Sequence, residues 1–94
     1  MSVINMRKDE ENFLKENFKA GEYYSLTMMI NKEQFDSFTK VLKSFNLTLA
    51  ILPLNIKNGY QSLNILVKIK DIDFFSHCMK EYCQLDISKK IIKH

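Results

Sequence analysis

The residues best suited to chemistry lie close together. Asp73, Ser76, His77 and Cys78 form one short run, and Cys83 follows. On paper these supply an acid, a base and two kinds of nucleophile. A working triad needs the serine oxygen, the imidazole and the carboxylate in line, with an oxyanion hole beside them. Adjacent residues on a helix point apart, so Ser76 and His77 cannot form that line. Asp73 and His77 instead make an i, i+4 pair on a solvated helix face. His77, Cys78 and Cys83 lack the spacing of a zinc site and a fourth ligand. The two cysteines are too far apart along a helix to bridge, which fits a reducing compartment.

The remaining chemistries are thinner still. Gly21 and Gly59 are the only glycines. Both punctuate structure, which leaves no phosphate-cradling loop. Acidic pairs such as Glu10-Glu11 and Asp71/Asp73 fall at helix starts, where the macrodipole favours them. The expectation is a protein that is not an enzyme, with no catalytic residue, cofactor or metal.

Charge excludes less. The 94 residues carry a net charge of +3, from 14 basic and 11 acidic side chains. Residues 1–50 balance, and the excess lies in residues 51–94. Arg7 is the only arginine. Bidentate reading of phosphate or guanine prefers arginine, so its scarcity argues against specific nucleic-acid readout. A chain rich in Lys, Asn and Ile and poor in Arg, Gly and Pro fits AT-rich coding, as in a phage or mobile element of a low-GC bacterium. No apolar run spans a bilayer, and "MSVINMRKDEEN" turns acidic before a signal-like apolar stretch develops. A cytoplasmic location and no membrane partner are expected.

The elements that would position these residues follow from periodicity. Residues 8–20 read as a helix with a thin apolar face of Phe13, Leu14 and Phe18, ended by Gly21. "EYYSLTMMI", 22–30, reads as a strand with Tyr24, Leu26, Met28 and Ile30 on one face. Asn31 caps the next helix, with Gln34 placed as in a capping box. Its stripe is Phe35, Phe38, Val41, Leu42 and Phe45. "LTLAILPLNIKNGYQSLNILVKIK", 47–70, reads as a hairpin around Asn58-Gly59, a pair suited to a type I′ turn. Residues 71–83 form a further helix with the stripe Ile72, Phe75, Met79 and Tyr82, capped by Asp71 or Asp73. "QLDISKKII" closes as a short strand with a basic tail.

After a helical segment 1–21, residues 22–94 therefore run strand–helix–strand–strand–helix–strand. That is the ferredoxin-like βαββαβ pattern of an α+β fold, with an antiparallel sheet ordered 4-1-3-2. Strand two is then an edge, where Pro53 is tolerated despite its missing N–H. Enzymatic and metal-carrying uses of this fold place an arginine, glycines or cysteines at the first strand-to-helix junction, and "MMINKEQ" has none. RNA-binding uses need aromatics on both central strands, and "SLNILVKIK" has none.

Strand two is apolar on nearly every residue, and two readings compete. With regular pairing, Ala50, Leu52, Leu54 and Ile56 face the helices. Leu47, Leu49 and Ile51 then line the open face with Leu66, rimmed by Lys68 and Lys70. Such a strip marks a protein interface, self-association to a homodimer being the first use. A β-bulge near Pro53 would instead turn Leu47, Leu49 and Ile51 inward, and the leading helix could itself cover the sheet. The function expected is a small protein-binding regulator or inhibitor using the sheet face or the strand-two edge. The alternative is single-stranded nucleic-acid binding, with Tyr23 and Tyr60 stacking on bases and Lys57, Lys89 and Lys90 on the backbone.

Overall fold

The computed structural model describes residues 8–88 and 90–93. Helix α1 covers Lys8–Asn17, strand β1 Tyr23–Asn31, helix α2 Phe35–Ser44 and strand β2 Leu49–Lys57. Strand β3 covers Tyr60–Lys68, helix α3 Ile72–Tyr82 and strand β4 Ile91–Lys93. The first seven residues of the expected helical segment 1–21 lie outside the described residues. Among the described residues the fold is α+β, with three α-helices and one open four-stranded sheet. The order is β2-β3-β1-β4, with every pairing antiparallel. Read from the opposite edge, that order is 4-1-3-2.

Local chemistry accounts for most element ends. Asn58 and Gly59 both take positive φ, 53° and 80°, as a type I′ turn requires. The Asn31 side chain accepts the Glu33 N–H at 2.8 Å, but it caps a 3₁₀ turn, Lys32–Gln34, that precedes α2. Gln34 consequently sits at the N-cap of α2 and makes no capping hydrogen bond there. Asp71 occupies the N-cap of α3 in the same unbonded way. The closing strand is shorter than expected. Asp86 accepts the Ser88 N–H at 3.0 Å, and the Lys90 N–H bonds the Ile87 carbonyl at 2.8 Å. These turns occupy the residues before Ile91.

The decisive feature is a bulge in β2. Leu49 pairs with Val67, Ile51 with Ile65 and Pro53 with Leu63. The register shifts between Pro53 and Ile56, so that Ile56 pairs with Gln61 and Lys57 with Tyr60. Leu54 and Asn55 together oppose Ser62, the two-against-one count of a bulge. The regular-register reading is therefore corrected. Leu47, Leu49 and Ile51 pack against the core of Leu26, Leu42, Ile65, Val67, Phe75 and Met79, beneath α2 and α3. Leu54 and Ile56, expected inside, are 49% and 56% exposed.

The opposite face has its own cover. Phe18, just beyond α1, is buried with Ala50 and Leu66, and Leu14, Tyr23 and Leu52 pack around them. The Phe18 ring meets Tyr23 edge-on at 5.9 Å and Phe13 at 6.1 Å. Strand β2 is apolar on both faces because both faces are covered: Leu49 and Ile51 by the helical layer, Ala50 and Leu52 by α1. Two outcomes are expected. Leu49→Asp places a carboxylate at the core margin and lowers stability by about 2 kcal/mol, read as a reduced urea midpoint. An unchanged midpoint would place Leu49 outside. Deleting residues 1–20 uncovers Ala50, Leu52 and Leu66, and the truncated chain should aggregate by light scattering; a soluble monomer would show that this cover is dispensable.

Candidate functional site

The residues first singled out for chemistry are scattered. Cys78 is buried in the main core, Ser76 is half-buried, and Asp73 and His77 are exposed on α3. Among the described residues no cluster of His, Cys, Asp and Glu could hold a metal ion. Burial pushes the thiols of both Cys78 and Cys83 above their ordinary range, and Cys78 adds an electrostatic push at Cys83. Raised thiols are poor nucleophiles at neutral pH.

The expected interface residues divide three ways. Leu47, Leu49 and Ile51 are half-buried on the helix side, packed against the core and lining a cleft with Leu42 and Lys43. Leu66 is 8% exposed beneath Phe18. Lys68 and Lys70 share a cleft with Glu16, Asn17, Glu22 and Ile69, so opposite charges face them there. Of the residues expected to meet nucleic acid, Tyr23 is committed to Phe18, and Lys89 lies outside the described residues. Tyr60, Lys57 and Lys90 remain exposed.

Lys57 and Tyr60 fall on the part of the sheet that α1 leaves open, and Lys90, in the turn before β4, lines a cleft at its edge. The strand registers define this open part. Lys57 pairs with Tyr60, Tyr60 with Asn31, Ser62 with Met29, Asn64 with Thr27, and Ser25 with Ile92. Alternation puts all these residues on the α1 side of the sheet. Phe18 and Leu14 cover the Ala50–Leu66–Tyr23 end. At the other end Met29 is 61% exposed and Tyr60 49%, while Ile92, level with Ser25 on the far strand, is 61% exposed. Met29 and Ile92 border a shallow cleft with Thr27, Met28, Leu85 and Lys90. The result is a band of Tyr60, Met29 and Ile92 set among Thr27, Ser62 and Asn64, with Lys57 at one end and Lys90 at the other.

A second apolar surface lies between α2 and α3. Val41, Ser44, Phe45, Asn46, Phe74, Cys78 and Tyr82 line a groove of about 490 Å³. Tyr82, expected in the core stripe of α3, is 71% exposed, and its ring lies 6.1 Å from Phe45. Phe74, Cys78 and Tyr82 recur every fourth residue, a spacing that would have revealed this stripe in the sequence. No helix among the described residues is long and apolar enough to cross a membrane.

No protein-family model, curated protein or solved structure matches the chain. Disulfide-exchange reagents should label neither cysteine rapidly at pH 7, and both should react at once in denaturant. A thiol raised by folding holds its proton longer in the native than in the unfolded state. Folding stability should therefore fall as pH rises through the ordinary thiol value of about 9.0. Fast labelling of native Cys83 would show a reactive thiol that burial does not protect.

Proposed function

We propose that the chain is a small non-enzymatic protein-binding module, a regulator or inhibitor, that works through the open half of its sheet. Supporting this is the exposed band Tyr60, Met29 and Ile92, which carries large side chains on a rigid three-strand platform. Aromatic and methionine side chains are the types enriched where protein interfaces bury their centres. The sheet order and the two helical crossovers support a ferredoxin-like arrangement with α1 added over one half of the face. In that arrangement α1 sets the size of the platform.

The edges support the reading by being poor docking rails. Strand β2 carries Pro53 and a bulge, and β4 is three residues long. Both are devices that discourage strand addition. Self-association has weaker support than the sequence alone suggested, because Leu47, Leu49 and Ile51 face the helices. Single-stranded nucleic acid remains the second reading, supported by Tyr60 beside Lys57. It is weakened by the loss of Tyr23, whose ring packs on Phe18.

Photo-crosslinking tests the proposal. The full chain carrying p-benzoylphenylalanine in place of Tyr60, expressed in its native host, should give a discrete adduct that resists nuclease and yields to protease. The adduct should disappear with Met29→Asp. A nuclease-sensitive adduct would support nucleic acid instead. Adducts formed only when the probe replaces Phe74 would move the interface to the α2–α3 groove.

A further inference from the structure

Resting on that reading, we infer that the open sheet face takes an acidic segment of a partner protein, with carboxylates meeting Lys57 and Lys90 and apolar side chains meeting Met29 and Tyr60. The observation behind it is a separation of charge by element. The four strands read YYSLTMMIN, LAILPLNIK, YQSLNILVK and IIK, and none contains Asp or Glu. Every acid of the chain lies in a helix, a 3₁₀ turn or a loop. The nearest in sequence to this face are Glu33, in the turn after β1, and Asp86, before β4; Lys90 also precedes β4, but it lines the cleft with Met29 and Ile92, and that lining includes neither acid.

The open face is thus neutral and hydrogen-bonding at its middle, through Thr27, Ser62 and Asn64, and positive at two ends. Lys57 lies directly across from Tyr60, and Lys90 borders the cleft that holds Met29 and Ile92. Complementary potential selects partners and speeds their encounter. It also selects against a second copy. A two-fold interface presents the same patch from both sides, so the lysine-ended band would meet its own like charges. Nucleic acid shares the negative charge but not the rest. Met29 and Ile92 are flexible or branched aliphatic groups, poorer stacking partners for bases than aromatic rings, and they suit apolar side chains.

The test is a nuclear magnetic resonance titration of the isotope-labelled full chain, with a short synthetic glutamate–leucine peptide as the probe. Saturable amide shifts should map to Met29, Tyr60, Ser62, Lys90 and Ile92. They should weaken about tenfold when Lys57→Glu and Lys90→Glu are combined, the effect of about 1.4 kcal/mol. Raising the salt concentration should weaken them as well. Equal binding of a lysine–leucine peptide overturns the inference, as does stronger binding of oligothymidylate or shifts confined to the α2–α3 groove. Concentration-dependent shifts of the same amides without peptide would assign the face to a second copy. Shifts of those amides on deleting residues 1–7 would assign it to the chain's own first residues. Either outcome overturns the acidic partner. A protein adduct from position 60 without a response to the glutamate–leucine peptide would overturn the acidic chemistry and leave the face. Failure of both would overturn the face.

Discussion

Everything on both sides of the sheet depends on one extra residue in β2. The bulge between Pro53 and Ile56 moves the strand's side chains by one register step. A one-residue slip exchanges the two faces of a strand completely. Without it, Ala50 and Leu52 would face the helices, and Leu49 and Ile51 would face α1. The bulge is held by a side chain of the partner strand. Gln61, 6% exposed, donates from Nε2 to the Ser62 carbonyl at 2.8 Å and to the Asn55 carbonyl at 3.4 Å. A buried amide normally has such partners, and here one of them is the bulge itself.

That register also explains why a short, thinly apolar helix is retained over the sheet. With Leu49 and Ile51 turned inward, the outer face keeps Ala50, Leu52 and Leu66, too small a set to form a core alone. Phe18 and Leu14 complete it. Helix α1 spans only Lys8–Asn17, so the cover ends part-way across the sheet. The molecule has three layers over β2 and β3 at the Tyr23 end and two layers elsewhere. The exposed band at Tyr60 and Met29 is the part of the sheet beyond the reach of this cluster.

Much of the fold was legible because several signals agreed. The stripe of α2, the alternation of β1 and β3 and the Asn58-Gly59 turn each reflect a local rule that tertiary context did not override. The strip at Leu47, Leu49 and Ile51 was not legible, because strand parity is read by counting from the turn and a bulge breaks the count. Pro53 and the run of apolar residues on both parities marked the neighbourhood of the break without locating it. The capping residues misled for a related reason. Asn31 caps a 3₁₀ turn, which moves the N-cap of α2 three residues on to Gln34, whereas Asp71 ends a 3₁₀ turn, Ile69–Asp71, and stands at the N-cap of α3 without a side-chain bond. The open band was hidden because its limits are set by where α1 lies.

The same asymmetry separates shape from charge in this small domain. Strands buried on one or both faces tolerate few charges, so acids gather on helices and loops, where first-turn positions also favour them. Lysine is less excluded, since its long stem can lie along a sheet while the ammonium reaches water. Lys57, Lys68 and Lys93 therefore occupy strand positions that no acid does. Lys68 is then faced by Glu16 and Glu22 across the α1 cleft, whereas Lys57, at the hairpin end, is not part of that cleft. Glu16 of α1 thus shares a cleft with Lys68, whereas Lys57, paired with Tyr60, is the charged strand residue beside the exposed Tyr60–Met29 band.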